Sequence, residues 1–269
     1  MRRYALLGSP IETSLSPALH HAGFRAAGVE ADYSLWPTRL DELPERIAQA
    51  RVQLDGFNLT QPLKRLILPA LDGISERAQR CASANTVRVV GGQLIGDNTD
   101  LLGLTVSLQR LRPAPGPTLV LGSGGVVGAV LEAVSSLSTA ELMLCARNEA
   151  AAEGWARRHP SEPTIIPWAE RERAVSAAAT VVQATPVGAE GERIVAALPS
   201  AALLDLVVRP GGTTAMVAAA EKQGLPALDG LLMLVEQAAE AQRVWGLPAA
   251  SVEAVRAEYD RRRGRQGSV

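Results

Sequence analysis

The sequence predicts an α/β chain of two domains, the second built on a parallel, doubly wound sheet. Three observations carry this reading. From Thr118 onward, short apolar runs alternate with helical segments, the pattern of β-α-β crossovers. Before that point, two apolar runs flank Gly91-Gly92 and read as a hairpin, because a two-glycine loop suits the primed turns. Antiparallel pairing makes the first sheet a mixed one. Between the halves lies a proline-rich stretch, Pro113-Ala-Pro-Gly-Pro117. The chain has 269 residues, enough for two sizeable cores.

In the first half, Arg3 to Gly8 reads as a strand. Ser16-Pro17 reads as a helix start, a hydroxyl N-cap followed by proline at the first helical position. That helix is expected over Ala18 to Ala27, stopping at Gly28. A strand is expected at Tyr33 to Trp36, a helix at Leu40 to Ala50 and a strand at Gly56 to Leu59. Pro62 is expected to open a helix, and Ser75 to Ala82 reads as another. Thr86 to Val90 and Gln93 to Gly96 form the hairpin. A helix is then expected from Asp97–Asp100 to about Leu111, with the domain crossing in or before it.

The second half reads strand Leu119–Leu121, helix Val126–Ser136, strand Glu141–Cys145, helix Ala150–Arg158. A short strand at Ile165–Ile166 and a weak helix follow, then strands at Thr180–Ala184 and Ala202–Val208. Next come a helix at Thr214–Gln223, a short strand at Pro226–Leu228, and an apolar-periodic helix from Gly230 to Gly246. Ser251 is expected to cap a last helix.

Leu119-Val-Leu-Gly-Ser-Gly-Gly-Val-Val-Gly128 joins a strand to a helix through glycines at 122, 124, 125 and 128. Gly122 allows a tight turn, and Gly124 and Gly125 let backbone N–H groups approach a pyrophosphate where the helix dipole favours anions. This is the dinucleotide-binding arrangement, with its third glycine one residue late. An ordinary strand–turn–helix crossover remains open on this segment alone.

Composition narrows the classes. Hydrophobic residues make up 47% and charged residues 20%, a globular balance. Net charge is −1, so nothing points to nucleic acid or an anionic membrane. The basic tail, Arg261-Arg-Arg-Gly-Arg-Gln-Gly267, reads as a solvated, frayed end. Two cysteines, Cys81 and Cys145, suit a reduced, cytoplasmic protein. The histidines, His20, His21 and His159, form no metal-ligand spacing with them, so no metal is expected. No apolar run approaches a membrane span, and no signal peptide is read.

Several polar residues stand where chemistry could use them. Asn58-Leu-Thr-Gln-Pro-Leu-Lys64 ends a strand and enters the expected helix, whose dipole disfavours a cation in its first turn. A residue placed against local preference is a functional candidate, although a solvated lysine fits the same segment. Asp100 of Gly96-Asp-Asn-Thr-Asp100 is stabilised in a first turn by the dipole, and with Lys64 it could handle a proton. Ser14 and Ser16 offer hydroxyls at a helix start, either to an anion or simply as caps. Asn85 enters a strand against propensity, and Gln237 falls in or near an apolar helix stripe.

Taken in order, these segments resemble shikimate dehydrogenase over nearly the whole chain. The resemblance rests on Gly8-x-Pro-Ile, Ser14-Leu-Ser-Pro17-x-x-His20, Asn58-x-Thr60-x-Pro62-x-Lys64 and Ala84-Asn85-Thr86. It continues with Gly96-x-Asn98-Thr99-Asp100-x-x-Gly103, Gly122-x-Gly-Gly125, Ala184-Thr-Pro-x-Gly188, Asp205-Leu-Val-x-x-Pro210 and Gly230-x-x-Met233-Leu-x-x-Gln237-Ala238. It implies reversible NADP-linked reduction of 3-dehydroshikimate to shikimate, a step toward chorismate and the aromatic amino acids. It implies a substrate-binding domain of residues 1–102 plus 232–269, and a Rossmann-like NADP-binding domain of residues 103–231, with a cleft between. Lys64 and Asp100 become the catalytic pair; Ser14 and Ser16 take the substrate carboxylate; Thr60, Asn85 and Gln237 take the ring hydroxyls. Gly122, Ser123, Gly124, Gly125, Val126, Arg147, Thr185 and Gly230 are the NADP residues. The partner is a small molecule, and the chain is a monomer or homodimer, cytoplasmic, without nucleic acid or membrane.

The chain departs from the family in places. Ala146-Arg147-Asn148 keeps the arginine suited to a 2′-phosphate but changes its flanks, and no acid ends that strand to claim a 2′-hydroxyl. Val208 stands where the family usually has tyrosine, His21 where it has asparagine, and Ser83-Ala84 where it has Ala-Val. These leave room for a relative that uses quinate. A methylenetetrahydrofolate dehydrogenase would also couple a lysine to such a domain, but the serine pair and Asn98-Thr99-Asp100 argue against it. A binding protein without activity would lack Lys64 or Asp100, and both are present.

Overall fold

The computed structural model describes residues 1–137, 140–196, 201–209 and 212–266, with side chains to residue 263. Pro210 of the Asp205–Pro210 motif and Gly267 of the tail lie outside them. The chain forms two compact units, Met1–Gly103 with Leu234–Val269, and Leu104–Met233.

The first unit opens with β1 (Arg2–Gly8), α1 (Ser16–Ala26), β2 (Ala31–Pro37), α2 (Leu43–Gln53) and β3 (Gly56–Leu59). It continues with β4 (Gly73–Ile74), α3 (Glu76–Arg80), β5 (Thr86–Val90), β6 (Gln93–Asp97) and the start of α4 (Asp100–Leu111). The sheet order is β2-β1-β3-β5-β6-β4. β1 pairs parallel with β2 and β3, whereas β5 pairs antiparallel with β3 and β6, so the sheet is mixed. Period 2 divides β1 between two cores. Tyr4 and Leu6 pack with Phe24, Tyr33, Ala241 and Trp245, while Ala5 and Leu7 pack with Ile47, Phe57, Leu63 and Ile67. Strands covered on both faces read as continuous apolar runs.

The helix expected at Pro62 does not form. Residues 61–67 fold as turns followed by a single 3-10 turn, Leu68–Ala70. Pro69 lacks an N–H, which leaves too short a span for a stable helix. Leu63 and Ile67 nonetheless drive into the core, each fully buried. Lys64 therefore sits in a turn backed by the core, and the helix-dipole argument for it lapses.

Smaller corrections have local causes. Ser16 is the first helical residue of α1 rather than its cap; Leu15 holds the cap position without a side-chain bond, and Ser16 is engaged by Ser14. α2 starts at Leu43, where Pro44 falls in the first turn. Ser75 does cap α3, accepting from the Ala78 N–H at 3.1 Å.

The second unit holds β7 (Thr118–Leu121), α5 (Val127–Leu137), β8 (Leu142–Cys145), α6 (Glu149–Ala156), β9 (Thr164–Ile166) and α7 (Arg171–Ala177). Then come β10 (Thr180–Gln183), β11 (Ala202–Asp205), α8 (Ala215–Lys222) and β12 (Ala227–Asp229). The sheet is wholly parallel, in the order β12-β11-β10-β7-β8-β9. Its order reverses between β10 and β7, which makes the carboxyl ends of those strands a topological switch point. β11 ends at Asp205 instead of Val208, because the Asp205 carboxylate accepts the Val207 N–H and turns the backbone. Thr214 caps α8 by accepting from the Val217 N–H.

α9 (Leu231–Val244) and α10 (Ala249–Gln266) complete the chain. Ser251 lies inside α10 and does not cap it; its hydroxyl donates to Gln242 instead. The basic tail continues the helix to Gln266, where Arg261 and Arg262 pair with Glu258 one turn back. No helix among the described residues is long and apolar enough to cross a membrane.

His20 ties α1 into this core. Its ring is fully buried, stacks on Tyr33 at 4.3 Å between centroids, and lies 3.2 Å from Gln242 Nε2. Burial drops its pKa to about 3, with His21 adding to the fall. The unfolded imidazole binds a proton near 6.5, so between that value and the folded one the unfolded state holds more protons. Stability is then lost as pH falls, by about 1.4 kcal/mol per unit below pH 6.5. Denaturant titrations at pH 7, 6 and 5 should show that fall, and His20→Gln should flatten it. An unchanged slope would assign the acid sensitivity elsewhere.

Candidate active site

The first unit gathers a buried polar cluster where β3, β5, β6, α4 and α9 meet. Lys64 Nζ donates to Asp100 Oδ2 at 2.6 Å, and the two side chains are 15% and 3% exposed. Asn85 Nδ2 lies 2.8 Å from Asp100 Oδ1, 3.0 Å from Thr99 Oγ1 and 3.3 Å from Gln237 Oε1. Its Oδ1 accepts from the Thr99 N–H at 2.7 Å. Asn85 thus fixes both the start of α4 and the free oxygen of the carboxylate that holds Lys64. Gln237 is oriented by donating to Leu234 O within its own helix, at 2.9 Å. Asn98 caps α4 by accepting from the Leu101 N–H at 3.3 Å.

The ends of β6 and α9 are set by ions. Arg77 donates to Asp97 Oδ1 at 3.1 Å and Oδ2 at 2.6 Å, and to Glu240 Oε1 at 2.6 Å. Burial pushes the Asp97 carboxyl up, but Arg77 and Ser75 together hold it below its ordinary value. Glu240 lies one turn beyond Gln237, so the same guanidinium locates the turn before Asp100 and the helix that carries Gln237.

Ser14 and Ser16 form a pair, Oγ to Oγ 3.2 Å. The buried Ser16 lies beside the Tyr33 phenol, which donates to Asn58 Oδ1 at 2.8 Å. Asn58 Nδ2 donates to Thr86 Oγ1 at 2.9 Å and to Asn85 O at 3.2 Å. A chain of buried hydrogen bonds therefore runs from the Tyr33 phenol, beside Ser16, through Asn58 and Thr86 to Asn85 and Asp100. Among the described residues the Thr60 hydroxyl takes no part in it. Thr60 follows β3, with its methyl against Gly8 and its N–H on Leu7 O at 2.9 Å. Tyr33 and Thr86 were missed by sequence reasoning, since aromatic and β-branched residues in strands signal only propensity. Asn58 was legible as the first residue of the Asn58–Lys64 motif, but not as the partner of Tyr33 and Thr86.

The second unit carries the remaining candidates, all at carboxyl ends of its strands. Gly122 follows β7 with φ +127°, and a Cβ there would lie 2.8 Å from Ala184 O. Gly124 has open space where a Cβ would stand, which leaves its backbone approachable. Trp155 Nε1 donates to Ser123 O at 3.1 Å and holds the loop. Gly125 and Val126 lead into α5, which starts at Val127 just past the switch point, its first N–H on Gly124 O at 3.1 Å. Arg147 is exposed just past β8, and Asn148 beside it caps α6 by accepting from the Ala151 N–H. Thr185 follows β10, and its N–H reaches Gln183 Oε1 at 2.5 Å. Gly230 follows β12, where a side chain would collide with Leu206 O. An open glycine loop at the switch point and an unburied guanidinium after the next strand suit a dinucleotide with a 2′-phosphate.

The chain is similar to known proteins over most of its length. The family model of the shikimate dehydrogenase substrate binding domain matches residues 6–87. The shikimate dehydrogenase (NADP(+)) of Oleidesulfovibrio alaskensis is 34% identical over 268 residues, covering 95% of this chain and 94% of the relative. A shikimate dehydrogenase (NADP(+)) of Thermus thermophilus is 38% identical over 258 residues, covering 91% and 92%. A crystal structure of shikimate 5-dehydrogenase from Thermus thermophilus, in complex with NADP(H) and shikimate, superposes with a TM-score of 0.82. It is 36% identical and covers 96% of this chain and 99% of that one. A chain matched end to end at this identity, with both units in the same fold, belongs to the shikimate dehydrogenase family.

Proposed function

We propose that this chain catalyses the reversible NADP(H)-dependent reduction of 3-dehydroshikimate to shikimate, a step of aromatic amino acid biosynthesis. The observation that carries the reading is the Lys64–Asp100 pair, buried and hydrogen-bonded to Asn85. Ser14 and Ser16 are assigned to the substrate carboxylate, and Asn85, Gln237 and Thr60 to its ring hydroxyls. Gly122, Ser123, Gly124, Gly125 and Val126 are assigned to the pyrophosphate, Arg147 to the 2′-phosphate, and Thr185 and Gly230 to the rest of the nucleotide. Residues 1–102 with 232–269 are assigned to the substrate and residues 103–231 to the cofactor.

NADPH held by these loops would supply the hydride for the ring carbonyl carbon. Charge then develops on the carbonyl oxygen, and the Lys64 ammonium stabilises it and gives it a proton. Asp100 holds Nζ in place through a charge-assisted bond, and Asn85 keeps the carboxylate from rotating away. In the reverse direction neutral Lys64 takes the hydroxyl proton. We also assign the chain to the cytoplasm, on its two buried thiols, Cys81 and Cys145. A quinate-using relative is the second reading; Val208, in place of tyrosine, favours it.

The test is absorbance at the nicotinamide band, with shikimate and quinate each offered with NADP and NAD. Shikimate with NADP should turn over fastest. Faster turnover of quinate would overturn the substrate assignment.

Lys64→Ala and Asp100→Asn should each lower kcat by about a hundredfold or more, with smaller effects on substrate affinity. Near-normal turnover in both would remove the pair from the mechanism. Arg147→Ala should weaken NADP more than NAD, because NADP alone carries the phosphate that a guanidinium grips. Equal losses would show that Arg147 serves another purpose.

A further inference from the structure

At the carboxyl ends of β7, β10, β11 and β12, the register aligns Leu121, Gln183, Asp205 and Asp229 in one row. Asp205 is fully buried and Asp229 is 3% exposed. An acid in such a place is costly, and an aliphatic side chain would pack the row without that cost. Burial raises the Asp205 carboxyl to about 6, and Asp229 beside it adds a smaller push in the same direction.

What Asp205 holds together explains why an acid stands there. Its Oδ1 accepts from the Val207 N–H at 3.2 Å and from Gln183 Nε2 at 3.3 Å, and its Oδ2 accepts from Thr214 Oγ1 at 2.7 Å. Each donor governs a separate segment. Gln183 Nε2 also donates to Val187 O at 2.7 Å, while its Oε1 accepts from the Thr185 N–H at 2.5 Å. An ionised carboxylate can only accept, so it faces the Gln183 amide nitrogen and turns Oε1 toward Thr185. Thr214, having given its proton to Asp205, keeps lone pairs for the Val217 N–H and caps α8. The turn at Val207 brings its carbonyl to the Gly230 N–H at 3.2 Å, and Leu206 O fills the space beside Gly230.

We propose that Asp205 is a positioning residue for nucleotide binding: its carboxylate sets the Thr185–Gly188 loop through Gln183 and the 205–208 turn that backs Gly230. The proposal rests on the assignment of Thr185 and Gly230 to NADP. It names no contact between Asp205 and the nucleotide. Asp205 acts by ordering two loops before the nucleotide arrives, which lowers the entropy lost on binding.

The test is amide hydrogen exchange of the nucleotide-free protein, with NADP affinity measured by calorimetry. Asp205→Ala should speed exchange in residues 184–188 and 206–208 while β7 and β8 keep their protection. It should raise the NADP Kd about tenfold and leave the shikimate KM within about twofold. Asp205→Asn retains one acceptor and should hold the Kd rise to about threefold. Gln183→Leu removes the relay alone, so faster exchange should be confined to residues 184–188. That variant keeps the proposal testable if Asp205→Ala fails to fold. Folded variants with unchanged exchange in these loops and unchanged NADP Kd overturn the positioning role. Wild-type protein that binds no NADP overturns the cofactor assignment instead.

Discussion

The first unit depends on the Asn85 side chain. It is 2% exposed and sits where β5 begins, yet it satisfies groups from Thr99 just before α4, from α4 and from α9 at once. A carboxamide carries both acceptor and donors, so one residue can cap α4 at the Thr99 N–H and also hold the Asp100 carboxylate. Asp100 needs that second partner. With Lys64 on one oxygen and Asn85 on the other, the buried carboxylate has no freedom to swing, and Lys64 Nζ is placed accordingly. A partly satisfied network in this low-dielectric setting would cost more than an apolar core.

Around Asn85 the packing turns local preferences into one arrangement. Arg77 bridges Asp97 and Glu240, so β6 and α9 are registered by the same planar fork. His20 and Tyr33 stack beneath the serine pair, and the Tyr33 hydroxyl carries the hydrogen-bond chain to Asn58. Trp245 belongs to the same aromatic cluster, 5.1 Å from the His20 ring, stacking on Tyr4 at 4.4 Å and donating to Val87 O at 3.0 Å. Gly56 lies against that indole, and a Cβ there would stand 2.5 Å from its nitrogen, so the strand's glycine is a packing requirement.

The second unit solves a different problem. Its parallel sheet buries both faces, and the buried Gln183, Asp205 and Asp229 stand at the carboxyl ends of the strands, where loops leave the core. Gly122 passes within contact of Ala184 O, which couples the loop after β7 to the loop after β10 across the switch point. Loop order in this unit therefore comes from its strand ends, through Gln183, Asp205 and Asp229.

The sequence by itself determined the alternation of strands and helices, the hairpin at Gly91-Gly92 and the glycine loop after β7, and the family resemblance singled out Lys64 and Asp100. Those features rest on short-range rules: side-chain period, turn glycines with positive φ, and ordered motifs. The tertiary structure decided where the local signals competed. Pro62 looked like a helix start, but Pro69 and the burial of Leu63 and Ile67 made the segment a turn. Ser16 and Ser251 looked like caps, but the Ser16 hydroxyl pairs with Ser14, and the Ser251 hydroxyl is spent on Gln242, a residue that only the fold brings near. Asn58, Tyr33 and Asp205 gained their roles from cross-strand neighbours. A side chain's hydrogen-bond partners across a sheet depend on register, and register is set by the whole core rather than by the residues on either side.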